Sequence, residues 1–151
     1  MSLASALSAV SANPLARYQP RPGQERFHRS QAQTRCLRGP NQIVGKSFAG
    51  CSEALWWLTH SHPYREIPDR PVAGRLVPYS DDSSKEIEGK LYELLPKGLL
   101  HPECRYHPDR GFRVGNRRIL RLKTGDSMGI VSQSAGTLAA AGATLDFVWL
   151  D

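Results

Sequence analysis

The feature that most limits how this chain can fold is a short glycine-containing loop followed directly by an apolar helical pattern. Residues 39–47 read Gly-Pro-Asn-Gln-Ile-Val-Gly-Lys-Ser. Apolar side chains then recur at spacings of three and four residues: Phe48, Cys51, Leu55 and Leu58. This period predicts a helix over residues 46–60. Residues 34–38 predict a short strand in front of the loop, so a strand, a loop and a helix follow one another.

The residue types in this loop suit phosphate. Small residues let backbone N–H groups converge on phosphate oxygens, and the dipole of the following helix favours an anion. A lysine supplies charge to the outer phosphates and a serine hydroxyl ligates magnesium, which are the roles expected of Lys46 and Ser47. Five residues separate Gly39 from Gly45, whereas the common pattern has four. If the loop binds phosphate, either it bulges by one residue or its amides no longer converge on the anion. The alternative is an ordinary strand-to-helix turn that binds no phosphate.

The remaining pattern predicts an α/β fold with a mainly parallel sheet and flanking helices. A second helix is expected after the capping-box spacing of Ser83 and Glu86, with an apolar stripe behind it. Further strands are predicted over residues 72–77, 112–114, 117–122 and 145–150. Residues 125–142 are rich in Gly, Ala and Ser, carry no clear period and predict no element.

The last predicted strand ends on a carboxylate. Residues 145–150 are apolar except for Asp146, which predicts a buried strand of a parallel sheet. The next residue, Asp151, would then lie at the carboxyl edge of the sheet, where α/β proteins bind ligands. A carboxylate in that place is suited to holding magnesium. An apolar strand that happens to end on an aspartate is the simpler alternative.

Composition narrows the class of protein. The 20 Lys and Arg residues exceed the 14 Asp and Glu residues, giving a net charge of +6 with His neutral. This favours a polyanionic partner, although a solvated basic surface accounts for it equally well. No apolar run approaches the roughly 20 residues of a membrane span. Three scattered cysteines favour a reducing, cytoplasmic compartment. We expect one domain over residues 17–151, preceded by a helix or frayed segment over residues 1–16.

Four segments share the patterns of one protein family. Residues 18–30 contain Tyr-x-Pro-x-x-x-Gln-x-x-Phe-His, and residues 39–47 contain Asn-Gln followed by Gly-Lys-Ser. Residues 54–57 place two tryptophans in the helix after the loop, and residues 142–151 read Gly-Ala-Thr-Leu-Asp-Phe-Val-Trp-Leu-Asp. Together they resemble the start of the large terminase subunit of tailed bacteriophages, the ATP-driven motor that packages duplex DNA into the capsid.

The resemblance implies roles for individual residues. Gln24 corresponds to the glutamine near the adenine, with Tyr18 as a stacking wall. Lys46 corresponds to the phosphate lysine, and Ser47 and Asp151 to the magnesium ligands. The expected nucleotide-binding residues are Tyr18, Gln24, Gly39, Asn41, Gln42, Gly45, Lys46 and Ser47. The implied cofactors are ATP and Mg²⁺.

The resemblance also implies partners and a limit on activity. In the family the partners are duplex DNA, a portal protein and the small terminase subunit, in the cytoplasm of the bacterial host. The family's catalytic glutamate directly follows the position of Asp151, and its nuclease domain lies further on. We therefore expect a P-loop NTPase-like domain truncated after the strand that carries the magnesium acid. Such a chain binds nucleotide at best, and its unpaired sheet edge favours self-association.

Two other functions fit the same residues. A fragment of a helicase-type nucleic-acid ATPase shares the loop and the acidic strand. A basic DNA-binding remnant without enzymatic activity would use its arginines and no nucleotide. Salt-dependent DNA binding in the absence of ATP binding would distinguish the DNA-binding remnant from a terminase.

Overall fold

One mixed β-sheet organises the part of the chain that the computed structural model describes, residues 13–39, 45–133 and 144–151. The α-helices there are α1 (Pro22–Arg29), α2 (Lys46–Leu58) and α3 (Asp81–Leu94), with short 3₁₀ turns at Pro14–Arg17 and Lys97–Leu99. The strands are β1 (Ala73–Val77), β2 (Arg105–His107), β3 (Gly111–Val114), β4 (Arg117–Arg121), β5 (Ser127–Ile130) and β6 (Phe147–Leu150). Their order across the sheet is β2-β3-β4-β5-β1-β6. The predicted α/β class is confirmed.

The sheet is parallel on one side and antiparallel on the other. Strand β1 pairs in parallel with both β5 and β6, so that Arg75 lies opposite Gly129 and Val148. Strands β2, β3 and β4 join as antiparallel neighbours, and β4 pairs antiparallel with β5. The prediction of a mainly parallel sheet is therefore wrong. The hairpin of β3 and β4 adds directly to the β5 edge, where a helical crossover would have added a parallel strand.

Helix α2 lies along β6 and runs in the opposite direction. The ring of Trp57, near the end of α2, lies 5.7 Å from the ring of Phe147, at the start of β6. Midway along the helix, Gly50 allows close approach of Trp149, because a Cβ there would lie 2.3 Å from a ring carbon. This direction brings the N-terminus of α2 to the carboxyl edge of the parallel strands.

Helix α3 begins one turn earlier than the predicted capping box. The Ser80 hydroxyl accepts a 3.2 Å hydrogen bond from the Ser83 amide, so Ser80 is the N-cap. Ser83 therefore lies inside the helix, because Asp81 and Asp82 already form its first turn. The apolar stripe of α3 is buried as predicted and joins the core under the sheet. Fully buried core side chains include Leu55, Leu58, Leu76, Leu91, Leu120 and Met128.

Several local predictions are confirmed and others are wrong. Helix α2, strand β1 and the β3–β4 hairpin agree with their predicted ranges to within two residues. The strand predicted over residues 34–38 does not form, and that segment pairs with no strand among the described residues. Strand β6 forms, but at the edge of the described sheet rather than buried, since Val148 is 53% and Leu150 72% exposed.

The helix or frayed segment predicted over residues 1–16 lies largely outside the described residues. The described part of that range leads into a 3₁₀ turn, Pro14–Arg17. None of the helices in the described ranges is long and apolar enough to cross a membrane.

Candidate functional site

The N-terminus of α2 begins at a glycine with a conformation that other residues rarely adopt. Gly45 has φ 61° and ψ 36°, in the left-handed region, and forms the N-cap of the helix. No side chain caps this end, and the first turn contains no acidic residue. Among the described residues, neither a capping side chain nor an acidic residue of the first turn neutralises the N–H groups and the positive end of the helix dipole.

Lys46 links the two ends of the loop. Its Nζ donates a 3.0 Å hydrogen bond to the carbonyl oxygen of Gly39, seven residues earlier. The ammonium group is therefore held across the loop, beside the first turn of α2. Residues 40–44, including the predicted nucleotide-binding residues Asn41 and Gln42, lie outside the described residues.

The structure brings Gln24 to the same loop, where both ends of its amide make contacts with the chain. Its Nε2 donates to the carbonyl oxygen of Gly45 at 3.1 Å, and its Oε1 accepts from the backbone amide of Arg21 at 2.8 Å. The side chain is buried, and a Cβ at Gly45 would lie 3.1 Å from Nε2. In this geometry Gln24 holds the end of the loop.

Asp151 directly follows β6, at the carboxyl edge of the parallel strands. Its amide donates to the carbonyl oxygen of Val77 at 3.2 Å, which continues the pairing of β6 with β1 by one residue. Desolvation raises the pKa of the Asp151 carboxyl, although the ammonium groups of Lys46 and Lys90 oppose this shift. A cation bound at this carboxyl would favour its ionised form further.

Ser47 and Asp151, the two residues expected to hold magnesium, lie in the first turn of α2 and directly after β6, respectively. Ser47 is half-buried in the first turn of α2, on the residue after Lys46. Magnesium in phosphate sites takes one or two protein oxygens and completes its shell with water and phosphate. Within the described ranges no cluster of three His, Cys, Asp or Glu residues is placed to hold a metal by itself. A hydroxyl and a carboxylate are oxygen ligands of the kind that such a magnesium ion takes.

Tyr18 lies away from this loop. Its ring packs edge-on against Trp56 and His28, with centroid distances of 5.7 Å to each. Trp56 is ten residues beyond Lys46 on α2, which corresponds to roughly 15 Å along the helix axis. Tyr18 lines an open pocket of about 290 Å³ at that end of the helix. The structure does not bring Tyr18 together with Lys46.

Sequence reasoning missed a second lysine near the site. Lys90 on α3 lies 2.5 Å from Glu86 Oε1, and its Nζ is 5.7 Å from the centre of the Phe48 ring. Its ammonium also acts on the Asp151 carboxyl. The spacing of Glu86 and Lys90 is a visible helical ion-pair signal. The approach of α3 to the end of β6 depends on the sheet and leaves no local trace in the sequence.

No protein-family model, curated protein or solved structure matches this chain. The case for a function therefore depends on the geometry at the N-terminus of α2 and on the motifs in the sequence.

Proposed function

We propose that this chain binds magnesium-ATP at the N-terminus of α2, as the nucleotide-binding part of a DNA-packaging motor of the phage terminase type. One observation carries the proposal. The ammonium group of Lys46 donates a hydrogen bond to the carbonyl oxygen of Gly39, and its charge acts on the carboxyl of Asp151, which follows β6 at the carboxyl edge of three parallel strands. Lysine, helix N-terminus and carboxylate at that edge are the groups that a nucleoside triphosphate and its magnesium ion require.

Each residue has a distinct task in this proposal. Lys46 exchanges its hydrogen bond with the Gly39 carbonyl for one with a phosphate oxygen, which is stronger because both partners are charged. The amides at the start of α2 donate to the same phosphates, and Gly45 gives them room to approach. Ser47 and Asp151 would hold magnesium, which supplies neutralisation of phosphate charge.

The proposal concerns binding of the nucleotide and not its hydrolysis. The family resemblance assigns water activation to a glutamate that follows the position of Asp151. In the proposed role the partners are duplex DNA, a portal protein and the small terminase subunit, in the cytoplasm of a bacterial host.

Calorimetric titration with magnesium-ATP tests the proposal. We expect the wild-type chain to bind and Lys46→Ala to weaken binding by roughly tenfold or more, because a hydrogen bond between charged groups is lost. The control is Lys123→Ala, which removes the same charge from an exposed position after β4. An equal loss in both variants, or no binding by the wild-type chain, contradicts the proposal.

The irregular spacing of the loop calls for one further variant. Deleting Val44 restores four residues between Gly39 and Gly45. If both the wild-type chain and the deletion variant bind, the loop accommodates its extra residue. If only the deletion variant binds, the extra residue disables the wild-type site and the proposal fails for this chain.

A second candidate function is favoured by the arginines of the antiparallel strands. Arg105, Arg117 and Arg121 are exposed on β2 and β4, and the first two line an open cleft of about 650 Å³. Such a surface is suited to the phosphates of a nucleic acid bound without nucleotide hydrolysis. DNA binding that weakens steeply with salt and persists in Lys46→Ala would support it.

A further inference from the structure

The segment in front of the phosphate loop is held by side chains rather than by a sheet. Residues 31–39 pair with no strand in the described parts of the chain. Arg65 instead donates to the carbonyl oxygens of Ser30 at 2.7 Å and Ala32 at 3.1 Å, and Gln31 donates to the carbonyl oxygen of Tyr64 at 2.8 Å. The position of the loop therefore depends on a small number of side-chain contacts.

Arg35 makes the contacts closest to the loop. Its Nη1 donates to the carbonyl oxygen of Phe27 at 3.1 Å, and its guanidinium lies 4.9 Å from the centre of the Phe27 ring. Its Nη2 donates to Glu53 Oε1 of helix α2. Gly39 is the fourth residue after Arg35, so the start of the loop lies within about 14 Å of this anchor.

Glu53 collects further partners in the interior. Its Oε2 lies 2.7 Å from Nδ1 of His28, and its Oε1 lies 3.0 Å from Nε2 of His62. His28 in turn contacts the Tyr18 hydroxyl at 3.0 Å through Nε2. Burial alone would raise the pKa of Glu53, but the hydrogen bonds from His28, His62 and Arg35 outweigh burial and hold that pKa well below its usual range. Glu53 is therefore ionised at neutral pH.

One face of α1 connects this network to the loop. Gln24, Phe27 and His28 are spaced by three and four residues, so they share a face of the helix. Gln24 contacts Gly45 at the end of the loop, Phe27 contacts Arg35 before the loop, and His28 contacts Glu53 in α2 after it. Helix α1 therefore contacts the chain both before and after the loop.

We propose that Glu53 is a positioning residue for the phosphate loop, which it fixes through Arg35 on the near side and through α1 on the far side. This inference rests on the proposed nucleotide site. A loop whose two ends, Gly39 and Gly45, are held in place loses less conformational entropy when the ligand binds, so the network raises affinity for phosphate without touching it.

The chain offers a matched control elsewhere. Glu88 of α3 is also buried and pairs with an arginine, because Arg118 donates to Glu88 Oε1 at 2.9 Å from Nε and at 2.7 Å from Nη2. Glu88 also accepts from the backbone amide of Phe112. This pair fixes the antiparallel strands to α3 and makes no contact with residues 31–39.

The experiment compares Glu53→Gln with Glu88→Gln at a temperature where circular dichroism shows both folded. We expect Glu53→Gln to weaken magnesium-ATP binding by about tenfold more than Glu88→Gln. We also expect trypsin to cleave unliganded Glu53→Gln after Arg38 several times faster than the wild-type chain, with cleavage after Lys123 unchanged. Equal affinities in the two variants, or an unchanged cleavage rate after Arg38, would overturn the inference.

Two further measurements test the role of Glu53 if Glu53→Gln does not fold or if the chain binds no nucleotide. If Glu53→Gln does not fold, Arg35→Lys keeps the charge but loses the two-pronged contact with Phe27 and Glu53, and the same two effects are expected from it. If the wild-type chain binds no nucleotide, the proposed function fails and the cleavage rates alone decide. Faster cleavage after Arg38 then supports the positioning role of Glu53, and an unchanged rate refutes it.

Discussion

At the scale of single residues, Gly45 links the geometry of the loop to its proposed chemistry. Its left-handed backbone turns the chain into α2, and its carbonyl oxygen accepts the hydrogen bond from Gln24. A side chain at this position would be strained by the backbone conformation and would also press on the Gln24 amide.

Gly45→Ala is therefore expected to affect both stability and binding. The left-handed conformation costs alanine about 1 kcal/mol of folding free energy, and displacement of Gln24 disturbs the phosphate loop. Gly115 is the matched control, because it also has a positive φ, 57°, but no atom within 4 Å of an added Cβ. Urea unfolding should show a similar loss in both variants, and calorimetry a loss of magnesium-ATP affinity only in Gly45→Ala. Equal affinities would contradict this account of the loop.

The sequence predicted part of the candidate site at this scale. The motif placed Lys46 and Ser47 at a helix N-terminus because this signal is local, and the resemblance placed Gln24 near the adenine of a nucleotide. The contact of Gln24 with Gly45 was not predicted, nor were the partners of Glu53 and Lys90. These contacts arise from packing between elements, and a buried glutamate inside an apolar helix carries no signal of its partners.

At the scale of elements, the contact of α2 with β6 decides where the helix begins in space. Gly50 lies against the ring of Trp149, and Gly74 of β1 lies against the ring of Phe147. An added Cβ would come within 2.3 Å and 2.2 Å of these rings, respectively. Each glycine therefore makes room for an aromatic side chain of β6. The absence of a side chain at these two positions allows α2 to pack closely on the sheet.

Two glycine-to-alanine substitutions in helices should consequently have opposite effects. Gly89→Ala in α3 should raise the free energy of unfolding by roughly 0.5–1 kcal/mol, because alanine favours the helix. Its Cβ would make an ordinary contact, 3.4 Å from the Tyr106 hydroxyl. Gly50→Ala should lower the free energy of unfolding, since the clash with Trp149 outweighs the same helical gain. Urea denaturation measures both, and stabilisation by Gly50→Ala would contradict the packing of α2 on β6.

The helices and strands that the sequence predicted correctly are those with a pattern in their own residues. Helices α2 and α3 carry an apolar period, and the β3–β4 hairpin carries a Gly-Asn turn. Strand β5 was missed because its four residues, which include a glycine, lie in a stretch rich in Gly, Ala and Ser, and α1 was missed because it lies in a proline-rich stretch. The predicted strand over residues 34–38 had a suitable composition, but a strand also needs a neighbour to pair with.

At the scale of the whole molecule, composition predicts neither which strands pair nor where the basic residues gather on the surface. The class of fold followed from the alternation of elements, whereas the mixed sheet follows from the antiparallel pairing of β4 with β5, a strand that the sequence did not reveal. The net charge of +6 predicted a polyanionic partner without locating its surface. The structure offers two basic regions: Lys46 at the start of α2, and the arginines of β2 and β4.

The measurement that tests the central claim most directly is a titration of the ¹⁵N-labelled chain with magnesium-ATP, followed amide by amide by nuclear magnetic resonance. The account predicts the largest shifts at Gly45, Lys46 and Ser47, saturating at a single affinity, with the same amides unmoved in Lys46→Ala. Shifts confined to Arg105 and Arg117, or none at the start of α2, would contradict it.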